Sequence, residues 1–376
     1  MLYLFELGHQ PQISLEEIFS VLERKNIKYE LLEQKQKQAF FEIDFIIDAT
    51  EIMRDLGGTV KISQFLGSNS QKEIVEFLKN KKRESKIVFS ISAEDKKYAQ
   101  RLGIEMKKNL KKEGISARYV EIKNSASVIH NDILDKGGDF FIDKKGVFVT
   151  LAIQDIEEFS RRDFDRPQSD SVSGMLPPKL ARIMINLAGQ EKEKVLLDPF
   201  CGSGTVLTEA IDLGFEKIIG SDLSAKAVTD TEKNITWLIN TSRKKNEKIS
   251  VKIFKSDVRE LSQKISLKSI DFIVFEPFMG KPIRGREDEK MILKQIMELR
   301  NLFVDAFTEF KKILKKDGII LGIIPRFNIQ GKILEIDCKK EIEKIGFENV
   351  GFKKQKTLVY ARPGQVVERE IFKFKN

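Results

Sequence analysis

The sharpest chemical signal in the sequence is a glycine-rich turn flanked by carboxylates. Asp198-Pro199-Phe200-Cys201-Gly202-Ser203-Gly204-Thr205 follows an apolar run, Val195 to Leu197, and opens a helix-forming stretch, Val206 to Leu213. Gly202 and Gly204 let the backbone turn tightly and approach a ligand with no side chain in the way. The next strand-like run ends at Asp222, followed by Leu223, and the one after it ends at Asp257, followed by Val258. An acid at the second tip can accept hydrogen bonds from both hydroxyls of a ribose. An acid at the third can take up an adenine amino group, with Val258 beside the ring. Asp198, Asp222 and Asp257 at successive strand-to-helix junctions thus make an adenosine site at the carboxyl edge of a sheet. A fourth run, Asp271 to Phe275, ends in Glu276-Pro277-Phe278-Met279-Gly280, which adds an acid and an aromatic ring.

NAD and S-adenosylmethionine both contain adenosine and use such a site. The dinucleotide fingerprint needs a third glycine for close helix–strand packing, and Leu207 stands there. The Asp-Pro before the first glycine and the residues after the second favour S-adenosylmethionine. Glycines and acids at strand ends can be plain turns, but three tips in order followed by a fourth argue against that reading. Cys201 falls inside the turn and reads as a small packing residue, and Cys338 falls on a late helix. Two cysteines and two histidines exclude a disulfide framework, a zinc site built on Cys pairs and most His-based metal sites, so no metal is expected.

These tips need a sheet behind them. From Val195 onward strands and helices alternate: strands at 195–199, 217–221, 251–256, 269–275, 318–324 and 348–353, with helices between them that include 290–314 and 332–345. The pattern predicts an α/β fold with a parallel, doubly wound sheet. The end, 357–360, then Arg362-Pro-Gly-Gln365, then 366–374, reads as a hairpin that gives this sheet an antiparallel edge. Before it, 156–178 reads as a connector, charged and then rich in Ser, Gly and Pro, and 179–187 as a helix.

Residues 1–66 read as strand, helix, strand, strand, helix, strand, the ferredoxin-like order, with Ser14 and Glu17 as a capping box. Residues 71–155 form a second alternating α/β unit that ends in a hairpin about Asp143 to Gly146.

With 376 residues the chain has room for two or three domains. No stretch approaches the roughly 18 apolar residues of a membrane helix, and no secretory signal is read, so the expected location is the cytoplasm. The net charge of +9 is uneven: residues 1–160 hold 25 Lys+Arg against 26 Asp+Glu, and residues 161–376 hold 41 against 31. A basic balance fits a polyanion such as nucleic acid, although lysine-rich chains also arise without one. Lys107, Lys108, Lys111, Lys112 and Arg118 form one candidate phosphate-contacting patch, with a solvated helix face as the plain alternative. Lys281, Arg284 and Arg286 form another beside the fourth tip, with a solvated loop as the alternative. Arg243, Lys244, Lys245 and Lys248 read as a surface loop, and Trp237 as core.

Taken together, these motifs resemble class I amino-methyltransferases and, more closely, the THUMP-domain tRNA guanosine N2-methyltransferases. The resemblance covers about residues 60–376 and rests on Asp198 to Thr205, on Arg166-Pro167 with Met175 to Ala188, and on Tyr360 to Glu370. It implies a Rossmann-like class I methyltransferase sheet over 179–376, preceded by α+β domains: ferredoxin-like over 1–66, THUMP-like and tRNA-binding over 67–155, with 156–178 as linker. It implies transfer of a methyl group from S-adenosylmethionine to the exocyclic N2 amine of a tRNA guanosine, guanosine ten by family. Glu276, Pro277 and Phe278 would be catalytic. Asp198, Pro199, Phe200, Gly202, Ser203, Gly204, Thr205, Asp222, Leu223, Asp257 and Val258 would bind the cofactor. Some relatives work with a small activating subunit. At the fourth tip the family reads Asp/Asn-Pro-Pro-Tyr/Phe; here Glu276, Phe278 and Met279 depart from it. Three consequences stay open: Glu276 accepts from the amine while Phe278 stacks, the target base or atom differs (a DNA adenine included), or the chain only binds RNA.

Overall fold

The structure is a computed structural model, and it describes all residues except 82–85, 170–174, 190, 243–247, 282 and 284–288. The chain divides into two compact units, residues 1–11 with 25–156 and residues 12–24 with 157–376. Arg243, Lys244, Lys245, Arg284 and Arg286 of the basic runs lie outside the described residues.

In the first unit, eight strands among the described residues form one sheet in the order β2-β3-β1-β4-β8-β7-β5-β6. They are β1 (Leu2–Leu7), β2 (Tyr29–Lys35), β3 (Gln38–Ile43), β4 (Thr59–Gly67), β5 (Ile87–Ala93), β6 (Ala117–Tyr119), β7 (Gly137–Asp143) and β8 (Gly146–Ile153). The pairings from β2 to β7 are antiparallel, and β5 runs parallel to both β7 and β6. The β4–β8 ladder joins strands from 1–66 and 67–155 in a single sheet. Helix Lys96–Lys112 buries Ala99, Leu102, Met106 and Leu110, spaced three or four apart, and leaves its lysines exposed. Asp139 is 1% exposed and accepts from Lys61 at 2.7 Å, Ser90 at 2.6 Å and Thr150 at 2.8 Å. Four strands are thereby tied through one buried carboxylate.

In the second unit the strands are β9 (Val195–Asp198), β10 (Lys217–Asp222), β11 (Ser250–Lys255), β12 (Ile270–Phe275), β13 (Leu314–Ile329), β14 (Lys332–Leu334), β15 (Glu348–Asn349), β16 (Leu358–Tyr360) and β17 (Val367–Lys375). The order is β11-β10-β9-β12-β13-β17-β15, with β14 on β13 and β16 on β17. β11 to β13 pair in parallel, whereas β17 runs antiparallel along β13 from Ile319 to Phe327. The chain order reverses between β9 and β12, the switch point where open α/β sheets leave a crevice at their carboxyl edge. Alternate residues face opposite layers. Leu196, Phe272, Val274 and Leu321 pack with helices Pro178–Ala188 and Thr205–Leu213. Leu197, Ile273, Phe275 and Ile320 pack under helix Glu289–Ile313.

Several elements differ from the expected ones. Residues 12–24 of helix Pro11–Arg24 cluster with the second unit. There Ile13 joins the core, Glu17 accepts from Asn186 Nδ2 at 2.7 Å, and Glu16 accepts from the amides of Lys353 and Lys354. That helix starts at Pro11, ahead of Ser14, because proline suits a first turn whose amide needs no partner. Ile156–Phe164, inside the expected connector, is helical, with Phe159 against the Arg162 and Arg182 guanidiniums. Lys332–Leu334 is a strand rather than the start of a helix. Gln330 and Gly331 both take positive φ, which turns the chain back on β13 in a two-residue hairpin.

Substituting Asp139→Ala leaves Lys61 buried without its anion, so a loss of about 3–5 kcal/mol is expected. Urea unfolding of the two proteins measures it; a loss under about 1 kcal/mol would contradict the central place given to this carboxylate.

Candidate active site

The glycine turn closes through backbone bonds. The Gly204 amide donates to Cys201 O at 2.7 Å, and the Cys201 amide donates to Ser221 O at 3.0 Å, which ties the turn to the end of β10. Gly202 and Gly204 have φ of 52° and 86°, a region that disfavours any side chain. A Cβ on Gly202 would meet nothing nearer than Phe200 O at 4.0 Å, so the space above this turn is open. The Leu207 question resolves on the opposite strand. A Cβ at Gly220 would lie 2.4 Å from Leu207 Cδ1, so Gly220 supplies the room that a third glycine on the helix would otherwise give.

Asp198, at the tip of β9, is 2% exposed and accepts from the Phe200 amide at 3.0 Å. Burial, aided by the charges of Asp222 and Glu276, holds its carboxyl well above the ordinary carboxylate range. Three acids from β9, β10 and β12 therefore converge closely enough to feel one another. Pro199 is buried, and Phe200 is half-buried with its ring 5.4 Å from that of Phe275. Asp222 accepts from Gly202 N at 3.0 Å and from Ser224 N at 2.8 Å, one bond on each oxygen. A carboxylate offers about four lone-pair sites, so acceptor capacity for a ribose remains. Leu223 is exposed beside it.

Asp257 is linked to this cluster, since the Ser256 amide donates to Asp222 O at 2.9 Å. Its carboxylate accepts from Arg259 Nε at 3.0 Å and Nη2 at 2.6 Å, and this partner holds its pKa below the usual range. Arg259 is exposed, so the pair is weak and can open for a ligand. Val258 is buried.

Glu276 follows β12, and its side chain is 11% exposed. Its Oε1 accepts from Arg369 Nε on β17 at 2.5 Å, and Oε2 has no donor among the described residues. Burial raises its pKa, and the Arg369 charge and hydrogen bond oppose that rise. Arg369 in turn lies over the Tyr360 ring at 5.9 Å. Pro277 is buried, Met279 packs against the core, and Phe278 is 56% exposed.

Sequence reasoning missed the residues that hold these groups. Thr231 Oγ1 donates to Gly202 O at 2.8 Å and Asn234 Nδ2 to Ser203 O at 2.8 Å, both from helix Ala225–Thr241. Their spacing of three on one helix face was the available signal. Arg369 was visible only as part of the closing hairpin. Cys201 and Cys338 are buried, and burial raises both thiols, that of Cys338 to about 12, so neither is a nucleophile at neutral pH. Among the described residues no group of His, Cys, Asp and Glu is arranged to hold a metal ion.

A switch-point crevice, an open glycine turn and acids at successive strand tips define the class I methyltransferase fold. The chain matches the family model of the RMKL-like methyltransferase domain over residues 166–353, and it belongs to that family. It also matches a DNA methylase model over residues 15–233. A tRNA (guanine(10)-N2)-dimethyltransferase of Methanocaldococcus jannaschii is 28% identical over 250 residues, 64% of this chain and 62% of the relative. One from Methanothermobacter thermautotrophicus is 32% identical over 120 residues, 31% of this chain and 32% of the relative. The chain thus spans less than two thirds of these two relatives. A probable enzyme of the same name from Methanothermococcus thermolithotrophicus is 29% identical over 160 residues, 42% of this chain and 87% of the relative. Among solved structures, TrmN from Thermus thermophilus superposes with a TM-score of 0.55 at 15% identity over 100% of both chains. That likeness bears on the fold alone.

The site fits S-adenosylmethionine: the cradle over Gly202 is open and Asp222 keeps free acceptor capacity. Gly202→Ala would force a Cβ into that cradle. Strain at positive φ is expected to cost about 1–2 kcal/mol of stability, with cofactor affinity falling by at least about tenfold. Calorimetric titration with S-adenosylhomocysteine checks it; unchanged affinity would mean that the cofactor does not approach this turn.

Proposed function

We propose that this chain transfers a methyl group from S-adenosylmethionine to the exocyclic N2 amine of a guanosine in tRNA, guanosine ten by its relatives. The observation that carries this reading is Glu276, a carboxylate at the fourth strand tip that is nearly buried, fixed by Arg369 through one oxygen and open at the other. When bound, the cofactor supplies a methyl group on a sulfonium that is already activated. The amine is the difficult partner, because its lone pair is delocalised into the guanine ring. Glu276 Oε2 can accept from the amine and, with a main-chain carbonyl, hold its two hydrogens. This draws the nitrogen toward sp³ and aims the lone pair. Positioning then carries most of the catalysis, and the same carboxylate can receive the proton released from the methylated nitrogen.

The extra methylene of Glu276 is matched by its clamp. A freely rotating glutamate would blur the geometry, whereas Arg369 holds one oxygen in place. Phe278, exposed beside it, is free to stack on an extruded base. Pro277 shapes the loop. Asp198, Pro199, Phe200, Gly202, Ser203, Gly204 and Thr205 cradle the amino-acid end of the cofactor, while Asp222, Leu223, Asp257 and Val258 take its adenosine. Residues 67–155 are the THUMP-like tRNA-binding segment in this reading. The exposed Lys107, Lys108, Lys111 and Lys112 on helix Lys96–Lys112 support phosphate contact there. Strands β2-β3-β1-β4, all antiparallel, support a ferredoxin-like arrangement over 1–66. Among the described residues no helix is long and apolar enough to cross a membrane, and the proposed site of action is the cytoplasm. The DNA methylase match favours one second reading, methylation of another base's exocyclic amine by the same loop.

Removing the carboxylate with Glu276→Ala is expected to slow transfer by about 10²-fold or more while tRNA affinity stays within about threefold. Arg369→Met removes the opposing charge, so burial lifts the Glu276 pKa further. The acidic limb of the pH–rate profile, where protonated Glu276 can no longer accept, should therefore move to higher pH. Single-turnover rates across pH 5–9 check both; an unmoved limb, or full activity in the alanine variant, would remove Glu276 from the chemistry.

A further inference from the structure

Arg166 stands in the segment before helix Pro178–Ala188 with its side chain turned inward. It is 7% exposed. Its Nη1 donates to Thr205 Oγ1 at 2.7 Å, its Nη2 meets the thioether sulfur of Met175 at 2.8 Å, and its Nε is buried without a partner. A thioether is a weak acceptor. Among the described residues no carboxylate forms an ion pair with Arg166. The two acids whose charges act on it are Asp163 and Glu209, and Glu209 is already held by Arg162 and Arg182. Those two arginines make the contrast plain. Each is 4% exposed, and each directs its guanidinium at Glu209 and Asp212.

A guanidinium stays charged at any ordinary pH, and burying it without an anion is costly. The place where Arg166 ends is suited to an anion in two further ways. Thr205 is the first residue of helix Thr205–Leu213, whose amino end carries partial positive charge. The open cradle over Gly202 lies three residues earlier, and Ser203 Oγ reaches the same Met175 sulfur at 3.7 Å.

We propose that Arg166 binds the α-carboxylate of the cofactor's amino-acid end, and so selects cofactors that carry that carboxylate. This rests on the reading of the glycine turn as the S-adenosylmethionine site. A guanidinium–carboxylate pair in a site this dry is directional and strong. It anchors the end of the cofactor opposite the adenosine that Asp222 and Asp257 receive.

The test compares two probes on the full chain by calorimetric titration: S-adenosylhomocysteine and decarboxylated S-adenosylhomocysteine, which keeps the amine and the adenosine. The unaltered protein should prefer the first by about 10- to 100-fold. Arg166→Met should reduce that preference to within about threefold, mainly by weakening the carboxylate-bearing probe, and Arg166→Lys should keep part of it. Equal affinities in the unaltered protein would overturn the inference, as would a preference undiminished in Arg166→Met. In the latter case a parallel loss of tRNA affinity would reassign Arg166 to a phosphate. If Arg166→Met does not fold, the unaltered protein and Arg166→Lys still decide the matter. Failure of the unaltered protein to bind either probe would instead overturn the cofactor-site reading beneath it.

Discussion

A carboxylate placed at a strand tip with 11% exposure is costly to ionise unless a cation accompanies it, and Arg369 is that cation for Glu276. The pair joins residues 93 positions apart. The antiparallel course of the last strand along β13 sets Arg369 opposite Pro325, near the carboxyl edge, where its side chain meets Glu276. Two opposed effects meet there. Burial makes the carboxylate more basic, and the guanidinium's charge and hydrogen bond oppose that rise. A carboxylate placed in this way is a strong hydrogen-bond acceptor.

The rest of the second unit holds the glycine turn in register with that pair. Arg162 and Arg182 converge on Glu209 of helix Thr205–Leu213 at 2.6 and 2.7 Å, and Phe159 lies against both guanidiniums. The lead-in helix, the following helix and the helix that opens at Thr205 are thereby locked together. Thr231 and Asn234 hold the turn's carbonyls from the opposite side. Charges buried in this way add little net stability and much geometric definition when every partner is satisfied. Arg166 is the exception, a buried cation whose Nε is left unpaired beside the turn.

Much of this was legible in the sequence because the site is built at strand ends. Apolar runs that stop at Asp198, Asp222, Asp257 and Glu276 mark the tips, and Gly202 and Gly204 mark the turn. The parallel sheet and its antiparallel edge were equally legible from alternation and the closing hairpin. What was not legible is pairing across the fold. Nothing local tells that Arg369 faces Glu276 or that Gly220 makes room for Leu207. Lys332 to Leu334 has apolar spacing that suits a helix, and the left-handed Gln330-Gly331 pair overrides it. The helix Pro11–Arg24 sits early in the chain, yet its buried face and its Glu17–Asn186 bond place most of it with the second unit.

The decisive measurement is transfer of isotopically labelled methyl from S-adenosylmethionine to unmodified tRNA by the unaltered protein, followed by nucleoside analysis. If Glu276 positions a guanosine N2 amine as proposed, label appears in N2-methylguanosine or its dimethylated form. Label in another nucleoside, or none at all from a protein that binds both cofactor and tRNA, would contradict it.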